Sequence, residues 1–279
     1  MRSSAFRAAR IAAALVILGL AAASALARVD VDSLWEYGDP AASEARFRAE
    51  LAAAKGDDRL EILTQIARTY SLRDRFIEAH EILDRVEPRL AHAGPRPRIR
   101  YLLERGRTFN SDGEPERARP FFLEAFERAR KAKEEDLAVD AAHMVAVTWS
   151  GTKRGLDWNR RGLALAHASP GAKVQALVPA MLNNSAWDLY ALHRYPEALR
   201  AFEDAEREWS KRGGPEQVAV AKWSVAHCLR ALGREPEALA ILLPLAAAAP
   251  NAQVRGDVLE EITFALQAMA GLAAPRARP

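Results

Sequence analysis

The chain has 279 residues, of which 28% are charged and 49% hydrophobic, with a formal net charge of +3. That surplus lies in the first 27 residues, which hold three Arg and no acid; removing those three from the 40 basic residues leaves 37 against 37 acids. A neutral chain without a basic block excludes the electrostatic footprint of a nucleic-acid binder, and a lone cysteine, Cys228, excludes an internal disulfide.

At the amino end, Arg2, Arg7 and Arg10 precede an apolar run from Ile11 to Leu26 that finishes in Ala25-Leu26-Ala27. A basic start, an apolar stretch and small residues before a cut predict a secretory signal peptide over 1–27 and an exported mature chain, periplasmic or secreted, beginning at Arg28. The same residues also fit an uncleaved amino-terminal anchor with the domain outside the cytoplasm. No Cys stands near the cut to carry a lipid, and no Arg-Arg pair precedes the run. Over 28–58, Asp39-Pro40 supplies an N-cap and a first-turn proline for a capping helix reaching about Ala54, with Trp35 placed to pack on whatever follows.

From there a pattern recurs. Small residues at 67, 106, 146, 186 and 226 are spaced by 39, 40, 40 and 40, and three positions after each stands a bulky residue: Tyr70, Phe109, Trp149, Leu189 and Leu229. Twelve positions on come Ala79, Ala118, Trp158, Ala198 and Ala238; sixteen on, Leu83, Phe122, Gly162, Phe202 and Leu242. Between these sets, Asp112-Gly113-Glu114-Pro115, His193-Arg194-Tyr195-Pro196 and Gly233-Arg234-Glu235-Pro236 end one helix and start the next. Each unit therefore reads as a helical hairpin over about 59–97, 98–137, 138–177, 178–217 and 218–250, closed by a capping helix over 251–272 and a disordered tail over 273–279. In the third unit Trp158 takes the small slot and Gly162 the large one, which predicts an exchange of volume one helical turn apart; Gly155 and the lack of a proline start weaken its second helix. Pro120 and Pro244 fall inside second helices and should bend them.

The set Gly106, Phe109, Ala118, Phe122 and Ala125, repeated as Ala186, Leu189, Ala198, Phe202 and Ala205, resembles the tetratricopeptide repeat family, although its units run longer than the family's usual length of about 34 residues. The resemblance implies an all-α, right-handed superhelical solenoid of about five hairpins whose first helices line a concave groove. The positions three before, one after and four after each small residue share that face. They supply Arg68, Arg107 and Asn110 at one end, His143 in the middle, and Asn183, Trp187, Tyr190, Trp223, His227 and Arg230 at the other, with Asn184 alongside. Arginine, aromatics and amides suit a protein or peptide segment, and Arg an anionic group on it. The chaperone-binding members grip a terminal carboxylate with Lys, Asn and Arg, but Val220 and Ser224 stand where bases would be needed, so that clamp is absent.

No motif for catalysis, phosphate binding or metal ligation is present, and the six His at 80, 92, 143, 167, 193 and 227 are scattered among the units. No cofactor is implied. The sequence predicts a non-catalytic exported scaffold that binds protein through its groove; the alternative is a structural assembly factor of a cell-envelope complex using its convex or terminal faces, and an enzyme with an unrecognised site ranks below both.

Overall fold

A computed structural model describes residues 29–271 apart from Tyr37; the signal-peptide expectation and the tail after 271 lie outside the described residues. Within that range the chain is built from helices, with no strand among the described residues. Helix α1 (Pro40–Leu51) precedes five hairpins: α2 (Gly56–Ser71) with α3 (Phe76–Val86), α4 (Pro95–Ser111) with α5 (Pro115–Ala132), α6 (Glu135–Val147) with α7 (Lys153–His167), α9 (Val178–Ala191) with α10 (Tyr195–Arg212), and α11 (Pro215–Ala231) with α12 (Glu235–Ala247). The short α8 (Ala172–Gln175) joins the third and fourth hairpins, and α13 (Ala252–Met269) closes the array. Paired helices pack on one another within each hairpin, the first helices α2, α4 and α6 pack in succession, and α9 packs back on α7. This is the local contact pattern of a solenoid.

The turns repeat as closely as the helices. Asp74, Gly113, His193 and Gly233, each seven positions after the small residue, adopt left-handed backbone with φ of 58, 81, 57 and 71°. In each case the next N–H donates back to the bulky residue's carbonyl: Arg75 to Tyr70, Glu114 to Phe109, Arg194 to Leu189 and Arg234 to Leu229, at 2.9 to 3.0 Å. That six-residue closure satisfies a carbonyl the helix end would orphan and turns the chain into its second helix. The third hairpin solves the problem differently. Thr152 caps α7 by accepting from the Gly155 N–H at 3.2 Å, and Gly155 lies so close that a Cβ would sit 2.4 Å from the Trp149 carbonyl oxygen.

Packing follows volume. Ala79, Ala118, Ala198 and Ala238 are fully buried, as are Leu83, Phe122 and Leu242, so small residues let paired helices close while large ones fill the layer between them. The third unit departs from the expected exchange of volume. Gly162 is met by Met181 of α9, whose Cε would lie 2.1 Å from an added Cβ, whereas Trp158 packs edge-on against Phe126 of the preceding unit, centroids 5.1 Å apart. The missing volume is thus made up by the following helix, and Trp158 is spent on the junction behind it. Helices α5 and α12 both continue through their internal prolines, Pro120 and Pro244.

Candidate functional site

The first helices α2, α4, α6, α9 and α11 present one face along the array, and its two halves differ in how much of their chemistry is already used. In the amino-terminal half the arginines are committed. Arg107 donates to Glu104 at 2.7 Å and to Asp140 at 2.6 Å, and Arg68 lies 3.7 Å from the same Glu104. Gln65 donates to Glu104 at 3.2 Å and accepts the Trp35 indole N–H at 3.1 Å, while Arg68 stacks over the Trp35 ring. Asn110 lies half-buried one turn further along α4, and Thr64, Leu103 and Ser71, which share the face by spacing, are buried. Burial by itself pushes the Asp140 carboxyl up, but the charge and hydrogen bonds of Arg107, with a further contribution from Arg68, hold it below the usual carboxylate range. Arg68 and Arg107 are therefore structural cations and do not form the free anion clamp that the sequence suggested.

In the carboxy-terminal half a recess of about 310 Å³ lies between α6, α9 and α11, lined by His143, Ala180, Asn183, Asn184, Trp209 and Gln217 among others. The side chains of Asn183 and Asn184 make no hydrogen bond among the described residues, and the buried His143 Nδ1 has no partner either. Burial drives the His143 imidazole to titrate below the ordinary value; Asp140 opposes this and Arg107 adds to it. His143 is thus a neutral ring at the recess edge, offering a donor or an acceptor but no charge.

Beside the recess stands an aromatic wall. Trp223 and His227 stack with centroids 5.1 Å apart; Trp187 lies 5.6 Å from His227 and 6.1 Å from Trp223, and Tyr190 lies 5.1 Å from His227. The rings are half-buried, packed against one another. Glu261 of α13 anchors the wall from below, accepting from Arg230 and lying 3.0 Å from His227 Nδ1; burial raises its carboxyl, yet His227 and Arg230 bring it below the usual range. Cys228, next to His227, faces the other way and is buried, its thiol pushed up to about 11, so it is no nucleophile at neutral pH. No group of three or more metal-type ligands occurs among the described residues.

Several site residues were not among those read from the sequence. Glu104 and Asp140 stand two and six positions before the small residue, on the face the groove positions share, and a buried carboxylate in that register was the available signal. Trp209 comes from a second helix, at the end of the extra turns that lengthen the unit beyond the family's usual repeat.

No protein-family model matches the sequence, and no curated protein matches it. Solved structures do. The chain resembles a putative kinesin light chain from Podosopora anserina with nearly identical TPR-like repeats, at TM-score 0.56 and 17% identity over 70% of this chain and 97% of that one. It resembles a Rap protein complexed with competence and sporulation factor at TM-score 0.61 and 15% identity, over 86% and 69%. It also resembles NprR in complex with its cognate peptide NprX, at TM-score 0.58 and 13% identity over 82% and 68%. At these identities the likeness establishes the fold, a tetratricopeptide-like superhelical array.

Proposed function

We propose that this chain is an exported, non-catalytic scaffold that holds an extended segment of another protein in the carboxy-terminal half of its groove. The observation that carries the reading is the recess at α6, α9 and α11, where the unbonded amides of Asn183 and Asn184 and the unpaired His143 Nδ1 converge beside the aromatic wall. An amide donates and accepts at once, which is what a peptide backbone requires, and Trp187 and Trp223 offer large rigid surfaces at low entropic cost. The groove is preformed, so a ligand gains most of its contact energy without ordering the host. One structural neighbour is described in complex with its cognate peptide and another complexed with competence and sporulation factor, and the first of these supports a peptide as the kind of ligand. Among the described residues no helix is long and apolar enough to cross a membrane, and export rests on the sequence of 1–27.

A second reading, an assembly factor that docks through an end face, is favoured by one observation: Leu259, Leu266 and Met269 of α13 are each at least half exposed, a stripe with no helix beyond it among the described residues. One experiment separates the two. A photo-crosslinking residue is placed at Val220 in the recess wall, at Leu266 on the end face, or at Ile77 on the outer layer, and adducts are scored in intact cells. The groove reading expects adducts from position 220 alone. Adducts from 266 without 220 would transfer the function to the end face. Fractionation of the same cells tests export, and retention of the chain in the cytoplasm would overturn that part.

A further inference from the structure

The amino-terminal half of the groove is not empty. Residues 29–35 leave α1 and lie along it: Trp35 is seated on α2 through Gln65, Val31 is buried in the core cluster of the first units, Asp32 accepts from Arg100 of α4 at 2.9 Å, and Lys173 of α8 donates to both Asp30 and Asp32 at 2.7 Å. Arg100 stands seven residues before Arg107, hence on the same face of α4. Within six positions, then, the segment passes the first helices of units one and two and arrives at α8, the connection between the third and fourth hairpins. A ligand held across stacked first helices would take that course. Its chemistry is acidic at two positions and apolar or aromatic at two more, and it meets basic groups and an apolar floor.

The attachment is uneven. At the Trp35 end the indole is packed against Phe47, centroids 5.2 Å apart, and its N–H is satisfied. At the other end the Lys173 and Asp30 side chains are 49% and 55% exposed, and exposed pairs of this sort contribute little and are screened by salt. Arg100 differs, because it is buried, and without the segment its charge would be answered by Glu61, at 3.4 Å, and more distantly by Asp136. Burial raises the Asp32 carboxyl, but Arg100 and Lys173 bring it below its ordinary value, so the contact is charged at neutral pH.

We propose that this half of the groove is a second docking site, for an acidic partner segment carrying an aromatic or branched apolar anchor, and that residues 29–35 fill it in cis until such a segment displaces them from the Lys173 end inward. The site is separate from the recess around Asn183 and Asn184 and does not depend on it. A cis occupant lowers the apparent affinity for any trans ligand by the fraction of time the site stands open. Weakening the occupant should therefore strengthen the ligand.

The test is a fluorescently labelled peptide with the sequence of residues 29–36, titrated by anisotropy into the full chain. The Asp30→Asn/Asp32→Asn variant should bind it about tenfold more tightly than the unmodified chain, because the open fraction rises. Adding Lys173→Glu to that variant should abolish the gain, as should a peptide in which both Asp are Asn. Failure of the double variant to bind the peptide, with its thermal melting within a few degrees of the parent, would overturn the proposal. So would loss of the fold in that variant, which would make the segment a fixed part of the core. A concentration-dependent dimer lost on Asp30→Asn/Asp32→Asn would assign the site to a second copy of the chain and equally overturn it.

Discussion

Arg107 reaches from α4 to α6, donating through one branch to Glu104 at 2.7 Å and through the other to Asp140 at 2.6 Å, so a single guanidinium ties two successive first helices along the groove floor. Both partners are largely shielded from solvent, with side-chain exposures of 11% for Arg107 and 18% for Asp140. Removing one member of such a pair strands the other, at a cost of about 3 kcal/mol. Asp140→Ala should lower stability by that order in urea unfolding, and Asp140→Asn, which keeps an acceptor for Arg107, should lose less. A loss under about 0.5 kcal/mol would place the pair with ordinary surface ion pairs.

The pH dependence has a definite sign. His143 titrates below its unfolded value of about 6.5, so the unfolded chain takes up the proton first and the stability tied to the neutral ring is complete above that value and lost as pH falls through it. His80, lowered by burial and then by Arg105, acts in the same direction. Asp140, lowered, keeps its contribution until the pH drops below about 4. Unfolding free energies at pH 7.5 and 5.5 should therefore differ less in His143→Gln than in the parent. An unchanged slope would mean that His143 does not carry its share.

Glycines in similar helical settings should respond in opposite ways. Gly256 lies within α13 with nothing near an added Cβ, so Gly256→Ala should stabilise by about 1 kcal/mol from helix propensity. In Gly106→Ala the new carbon would come within 2.6 Å of the Phe122 ring, a rigid neighbour, and overpacking of about 1–3 kcal/mol should outweigh the same propensity gain. Gly113→Ala, free of neighbours but at φ +81°, should cost about 1–2 kcal/mol through the backbone alone. Thermal melts of the three variants check the ordering.

The aromatic wall should be mechanically important. Trp187 touches Tyr190, Phe202, Trp223 and His227, with the Phe202 centroid at 5.0 Å. Truncation to Ala should cost about 3 kcal/mol, near the low end for a tryptophan because the ring is only half-buried. Trp187→Phe, keeping the Phe202 contact, should cost under half as much. Equal losses would show that the outer ring, rather than the packed one, holds the wall together.

How far the sequence foretold this is uneven, and for physical reasons. The hairpins were legible because their determinants are local: Ala118 against Phe122 sets a helix spacing, and Gly113 with Pro115 sets a turn. Met181 filling the space over Gly162 was not legible, since it joins two units whose separate patterns give no register between them. Charge misled in the same way. Glu104 and Asp140 read as ordinary acids in an Arg-rich chain, and only the stacking of α4 on α6 makes them the partners that occupy Arg68 and Arg107. The return of Asp30 and Asp32 to Lys173 spans more than 140 residues, with no periodic signal to announce it.

The central claim is that an extended peptide lies in the recess and is held by the Asn183 and Asn184 amides. Its most direct measurement is calorimetric titration of peptides, selected from a random display library on the purified chain, against that chain and against Asn183→Ala/Asn184→Ala. The account predicts a loss of at least about tenfold in affinity, 1.4 kcal/mol, with unfolding unchanged. Peptides that bind both chains equally, or a library that yields none, would contradict it.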